Sequence, residues 1–115
     1  MAPQGVDIQG VDGFALLDTG ADKTVLDLST AVGMGLMPVG VAPYRPYDSP
    51  ASQKTTDAFD ADLELGEIGS WPLKKVGSFD LKRFNLLAVI GRDILRTCVL
   101  VVNGPRQSVR LSLLN

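Results

Sequence analysis

The sequence predicts an all-β domain, and three observations carry that reading. Eleven of the thirteen acidic residues are aspartate, and they are accompanied by twelve glycines and seven prolines, a composition that favours turns and caps over long helices. Polar and apolar residues alternate over short stretches, most cleanly where Phe59, Ala61, Leu63 and Leu65 face one way and Asp60, Asp62 and Glu64 the other. Short continuous apolar runs, Phe14 to Leu17 and Leu86 to Ile90, suit strands buried on both faces. With 115 residues, 45% of them hydrophobic, the chain is expected to form one domain, residues 1–115. A domain of this size buries only roughly two-thirds of its unfolded surface, so a subunit partner is physically useful.

In chain order, Val6 to Gln9 alternates, Gly10-Val-Asp12-Gly13 has turn chemistry, and Phe14 to Leu17 returns as the second arm of a hairpin. Asp18-Thr-Gly-Ala-Asp22 follows as a loop, then Thr24-Val-Leu26 as a short strand. Leu28, Ala31 and Val32 sit at helical spacing, and Gly33 or Gly35 can end that turn. From Met37 to Pro50 four prolines and two tyrosines predict an extended edge segment, because proline cannot donate to a central ladder. Its partner is the alternating stretch from Ala58, so residues 41–65 form a projecting hairpin joined through Asp48-Ser-Pro-Ala-Ser-Gln-Lys54. Leu73 to Val76 makes one more short strand and Leu86 to Ile90 a buried one. Ile94 and Leu95 start a brief helix, and residues 98–113 close the chain as a hairpin, Cys98 to Val102 and Ser108 to Leu113, around Asn103-Gly-Pro105.

Composition removes whole classes of chemistry. No histidine is present, which excludes Ser-His-Asp and Cys-His catalysis and nearly every imidazole-based zinc site. Cys98, the one cysteine, can make no internal disulfide and reads as a small apolar residue in a strand. Eleven basic against thirteen acidic side chains, with no basic run, speak against nucleic acid as a partner. The apolar runs are far too short to span a membrane and residues 1 to 10 lack a basic n-region, so a soluble domain without membrane contact is expected, its compartment open. Trp71, Tyr44 and Tyr47 could form a carbohydrate or peptide platform, though isolated aromatics in a β domain are usually packing or loop anchors.

Asp18-Thr19-Gly20 puts a carboxylate, a hydroxyl and a backbone-permissive residue directly after a buried strand, at the mouth of the sheet. Taken alone the triplet reads as a turn, as Asp12-Gly13 does. Asp22-Lys-Thr24 is similar to the phosphorylated segment of ion-pumping ATPases, but Val25-Leu26 stand where Gly-Thr should follow.

The flanks add a family. Ala15-Leu-Leu-Asp-Thr-Gly-Ala-Asp-Lys-Thr-Val-Leu26 resembles the active-site segment of retroviral-type aspartic proteases, the retropepsins, and Ala88-Val-Ile-Gly-Arg-Asp-Ile-Leu95, about 70 residues further on, resembles their second hallmark. The resemblance runs from Val6 to Leu113 and is closest to the cellular and bacterial single-domain branch. It implies an all-β acid-protease barrel with one short C-terminal helix, active as a symmetric homodimer, and an aspartic endopeptidase acting on polypeptide with no cofactor and no metal. Such chemistry needs two carboxylates sharing one proton, one activating water and the other bonded to the scissile carbonyl. One Asp-Thr-Gly in 115 residues means that the second Asp18 comes from a twin subunit across a two-fold axis, with Thr19 bonding to the partner loop.

On the same resemblance, Asp18, Thr19 and Gly20 are catalytic, and Asp22 and Arg92 pair behind the loop, guanidinium geometry suiting a carboxylate. Ala21, Asp22 and Lys23 form one substrate wall and Leu87, Val89 and Ile90 another, which predicts hydrophobic residues at the scissile bond; ordinary core is the competing reading of Leu87 and Val89. Asp93 caps the short helix and Gly91 permits close packing against the loop. Val109, Leu111 and Leu113, with Thr19, form the dimer interface. Ala21 stands where pepsin-like enzymes usually carry a hydroxyl, which predicts a mildly acidic pH optimum. The tip Ser49 to Lys54 departs from viral flaps in having no glycine. That departure favours the alternative, a catalytically weak or inactive peptide-binding or dimerisation module of the same fold; the intact Asp18-Thr19-Gly20 favours the enzyme.

Overall fold

Alternation and turn chemistry build the observed sheet one hairpin at a time. The computed structural model describes residues 4–8, 10–46, 49, 51–66, 68–103, 105–106 and 108–113. Strands β1 (Gln4–Ile8) and β2 (Val11–Leu17) pair antiparallel, with Ile8 opposite Val11. The turn is therefore tighter than expected: Gly10 takes the left-handed conformation (φ 89°) that glycine adopts without a steric cost, and Asp12-Gly13 lies inside β2 rather than in the turn. Gly13 serves packing instead, since a Cβ there would meet the Leu87 side chain at 2.6 Å.

Strand β3 (Val25–Asp27) leads into helix α1 (Leu28–Gly33), which ends on Gly35 at φ 81°. Strand β4 (Gly40–Tyr44) pairs with β5 (Lys54–Glu64) from Gly40 opposite Ala58 to Tyr44 opposite Lys54, the hairpin expected from the proline-rich edge. Tyr47, Asp48 and Pro50 of its tip lie outside the described residues. Strand β6 (Ser70–Phe79) is far longer than the Leu73–Val76 segment expected. Its extension carries Ser78, fully buried, whose hydroxyl donates to the Asp57 carbonyl at 2.7 Å. A buried polar residue so satisfied continues a strand without an apolar signal. Strand β7 (Ala88–Ile90), helix α2 (Arg92–Leu95), and strands β8 (Cys98–Asn103) and β9 (Ser108–Leu113) complete the chain.

Among the described residues the protein is mostly strand, in an all-β architecture. The order β1-β2-β7-β3-β6-β5 closes on itself where Ile8 of β1 faces Leu63 of β5, making a six-stranded barrel with β4 added outside β5. Closure removes two sheet edges that would otherwise need covering. Val6, Ile8, Ala15, Leu17, Leu26, Leu63, Ala88 and Ile90 fill the interior, and the β8-β9 hairpin lays Leu111 and Leu100 against it. The two continuous apolar runs are not buried on both faces: Phe14 is exposed and Leu16 and Val89 half-buried, because barrel strands have one face out. None of the described helices is long and apolar enough to cross a membrane.

At the barrel seam Asp7 stands opposite both Asp12 and Glu64. The Asp12 carboxyl is raised above its usual range, chiefly by its hydrogen bond with Asp7 and then by the Asp7 charge. A raised folded value favours the fold at low pH and loses that advantage as pH rises. Asp12→Asn is therefore expected to raise Tm at pH 7 by about 2 °C and to change it little at pH 3, measured by thermal denaturation at both values.

Candidate active site

The Asp18 loop sits where two parallel strands end together. Strand β7 is inserted between β2 and β3, Leu17 lying opposite Ile90, so the chain must cross the end of β7 to reach β3. Residues 18–24 make that crossing at the barrel mouth. The Asp18 N–H donates to the Ile90 carbonyl at 2.9 Å and the Ala21 N–H to the Asp18 carbonyl at 3.1 Å, which fixes the turn. The half-buried Asp18 carboxylate accepts the Gly20 N–H at 2.9 Å, and a Cβ on Gly20 would stand 3.2 Å from the same oxygen. Glycine at this position leaves room for the carboxylate and is not held by a positive φ. Thr19, Asp22 and Lys23 are exposed.

The segment from Gly91 to Asp93 holds this loop from behind, each residue in a different way. Gly91 is packed so closely that a Cβ would lie 2.6 Å from the Lys23 carbonyl carbon and 2.8 Å from the Ala21 oxygen. Arg92 donates its N–H to the Ala21 carbonyl at 2.8 Å and its guanidinium to the Thr19 carbonyl at 3.2 Å, and it forms an ion pair with Asp22. Both charges of that pair are more than half exposed, so its value lies in posture rather than in stability. Asp93 accepts the Thr24 N–H at 3.0 Å and its hydroxyl at 2.8 Å, while the Thr24 hydroxyl accepts the Gly91 N–H at 3.1 Å.

Asp93 is thus a clamp on Thr24 and not the helix N-cap, a position that Gly91 holds without a side-chain bond. Thr24 was not singled out by sequence; a hydroxyl opening the apolar strand Val25-Leu26 was the available signal. Because both neighbours of a Gly91 side chain are backbone, Gly91→Ala is expected to cost about 2 kcal/mol in urea unfolding, as overpacking does.

A groove of about 960 Å³ runs beside the loop, between Ala21–Val25, residues Val41–Tyr44 of β4 and residues Trp71–Gly77 of β6. Ala21, Asp22 and Lys23 line it, as do Tyr44 and Trp71; Tyr44 also meets Phe79 edge to face, with centroids 4.8 Å apart. Asp18 is not among the lining residues. Leu87, Val89 and Ile90, expected from sequence as a second wall, do not line this groove. Ile90 is fully buried in the barrel, since Ala88 and Ile90 share the inward parity of β7. Leu87 packs over Gly13 and against the core, and Val89 lies between Leu16 and Val25.

One interface expectation also changes. Leu111 faces the protein's own core at 7% exposure, paired with Leu100, and so is not an exposed contact residue. Leu113 is exposed, along with Val99 and Val101 of β8, and the Val109 side chain lies outside what is described. Cys98 is half-buried in β8. A scan against protein-family models and a search of curated proteins both return no match for this chain.

Proposed function

We propose that this chain is a retropepsin-like aspartic endopeptidase, active as a homodimer with one active site on the two-fold axis. The observation that carries the reading is the Asp18 carboxylate, seated on the Gly20 N–H at the barrel mouth in a loop gripped by Gly91, Arg92 and Asp93. In the dimer two copies of Asp18 share one proton. The ionised carboxylate takes a proton from water, whose oxygen attacks the scissile carbonyl carbon, while the protonated partner donates to the carbonyl oxygen. The tetrahedral adduct then collapses: the nitrogen receives the proton taken from water, the C–N bond breaks, and one hydroxyl of the adduct returns its proton to the partner carboxylate, leaving a carboxylic acid, an amine and the dyad with its one proton restored. The family's dyad chemistry needs no metal and no cofactor.

The test is cleavage of a peptide library from pH 3 to 7 by the native chain, by Asp18→Asn and in the presence of a statine-type transition-state mimic. Cleavage with a mildly acidic maximum, lost in both controls, is the expected result; an optimum well below about pH 3 counts against the Ala21 argument. One observation favours a second reading, a non-hydrolytic peptide-binding module: Asp18 is not among the residues that line the groove. A protein dimeric at assay concentration that binds peptide without cutting it would establish the module.

A further inference from the structure

We infer that the groove selects acidic peptides, with apolar side chains resting on its aromatic and aliphatic lining and carboxylates meeting a lysine rim. The inference rests on reading the groove as the peptide channel of the proposed protease. The chain as a whole is acidic, with a formal charge of -2. The groove inverts that balance: Lys23, Arg45, Lys74 and Lys75 line it against only Asp22 and Asp93. Both of those carboxylates are already engaged, Asp22 by Arg92 and Asp93 by Thr24 and the Ile94 N–H. Among the described residues no salt bridge engages Lys23, Lys74 or Lys75.

These lysines come from both walls, Lys23 from the Asp18 loop and Lys74 and Lys75 from β6, so an extended peptide between them meets positive charge on each side. Lys75 is held there by backbone geometry. It takes the left-handed conformation (φ 52°) at a bulge opposite Asp60, whose carboxylate accepts its N–H at 2.8 Å. Trp71, Leu73 and Val41 also line the groove and supply apolar surface beside the lysines. Like charge against such a rim repels basic peptides and opposite charge steers acidic ones, with an effect that salt screens.

The experiment uses the full chain carrying Asp18→Asn, so that peptide is bound and not consumed. Three labelled peptides share an apolar centre and differ in flanks of glutamate, glutamine or lysine; binding is read by fluorescence anisotropy at about 20 mM and about 500 mM salt. The glutamate peptide is expected to bind about tenfold more tightly than the lysine peptide at low salt, with the gap closing at high salt and reversing in a variant that adds Lys23→Glu and Lys74→Glu. Equal affinities, no binding of any peptide, or a preference that the lysine reversals leave unchanged would overturn the inference. If the native chain nevertheless cleaves the glutamine peptide, the protease reading survives that failure. If the glutamate peptide binds as expected but a native dimer never cleaves it, the acidic groove stands and the protease reading falls.

Discussion

Asp18→Asn is expected to lower the rate of peptide hydrolysis by about 10³ to 10⁴-fold while leaving Tm within about 2 °C of the native value. The two halves of that expectation come from different atoms of one side chain. Structurally the carboxylate makes one local bond, accepting the Gly20 N–H at 2.9 Å through Oδ1, and an asparagine oxygen accepts the same bond. The Asp18 backbone, which donates to Ile90 and accepts from Ala21, is untouched. Chemically, in the proposed dyad, the amide can neither take a proton from water nor share one with its twin, so both subunits of the mutant dimer fail together. Single-turnover cleavage assays beside thermal denaturation separate the two effects. A variant that loses activity only in step with lost folded protein would sink the catalytic assignment. One that cuts peptides at the native rate would sink the proposed function.

That prediction came from the resemblance of residues 15–26 and 88–95 to retropepsin segments, since the triplet taken alone reads as a turn; locally, a strand's end fixes only where Asp18 emerges. The β4-β5 hairpin was legible for a local reason: prolines mark an edge, and clean alternation from Phe59 to Leu65 marks the strand beside it. What escaped depends on partners distant in the chain. Ser78 is polar yet fully buried, because the Asp57 carbonyl receives its hydroxyl, so no apolar pattern marks the end of β6. Asp12-Gly13 has turn composition, but Leu87 fills the space beside Gly13 and makes it a strand glycine. Ile90 and Val89 are equally apolar; only the register with Leu17 and Leu16 sends one into the core and leaves the other on the half-buried outer face. The basic residues that line the groove, Lys23, Arg45, Lys74 and Lys75, come from three segments that no local window joins.

Asp27 is a residue of this second kind, and its removal is expected to have the largest effect on stability. It caps α1, with Oδ2 accepting the Thr30 N–H at 2.9 Å and the Ser29 and Thr30 hydroxyls at 2.7 Å. Its other oxygen reaches 54 residues along the chain to accept the Leu81 and Lys82 N–H groups, each at 2.9 Å. One fully buried carboxylate thus joins helix α1 to the turn that precedes β7. Asp27→Ala strands five donors. The two hydroxyls can reorient, but the three backbone N–H groups lose their acceptor in a poorly solvated place, and each such loss costs about 1–3 kcal/mol. A total of about 4 kcal/mol, read from urea unfolding at pH 7, is expected, large against the 5–15 kcal/mol typical of whole domains.

The pH dependence supplies the sharper check on the same residue. Burial pushes the Asp27 carboxyl upward, yet the hydrogen bonds from Thr30, Ser29 and Leu81 outweigh it and hold the carboxyl below its ordinary range. A lowered folded value means stability that is fully present above the unfolded carboxylate range, about pH 4, and that is lost as pH falls through the folded value. Asp27→Asn removes the titration and turns an amide donor toward donors, so it is expected to lie well below the native protein in stability at pH 7 and to close part of that gap near pH 3. A gap that stays constant from pH 7 to pH 3 would mean that the charge of Asp27 contributes nothing and only its shape matters. Because the loss begins below about pH 4, the fold keeps this support across the mildly acidic range in which the Asp18 pair is expected to work, and acid inactivation below that range should track unfolding as well as chemistry.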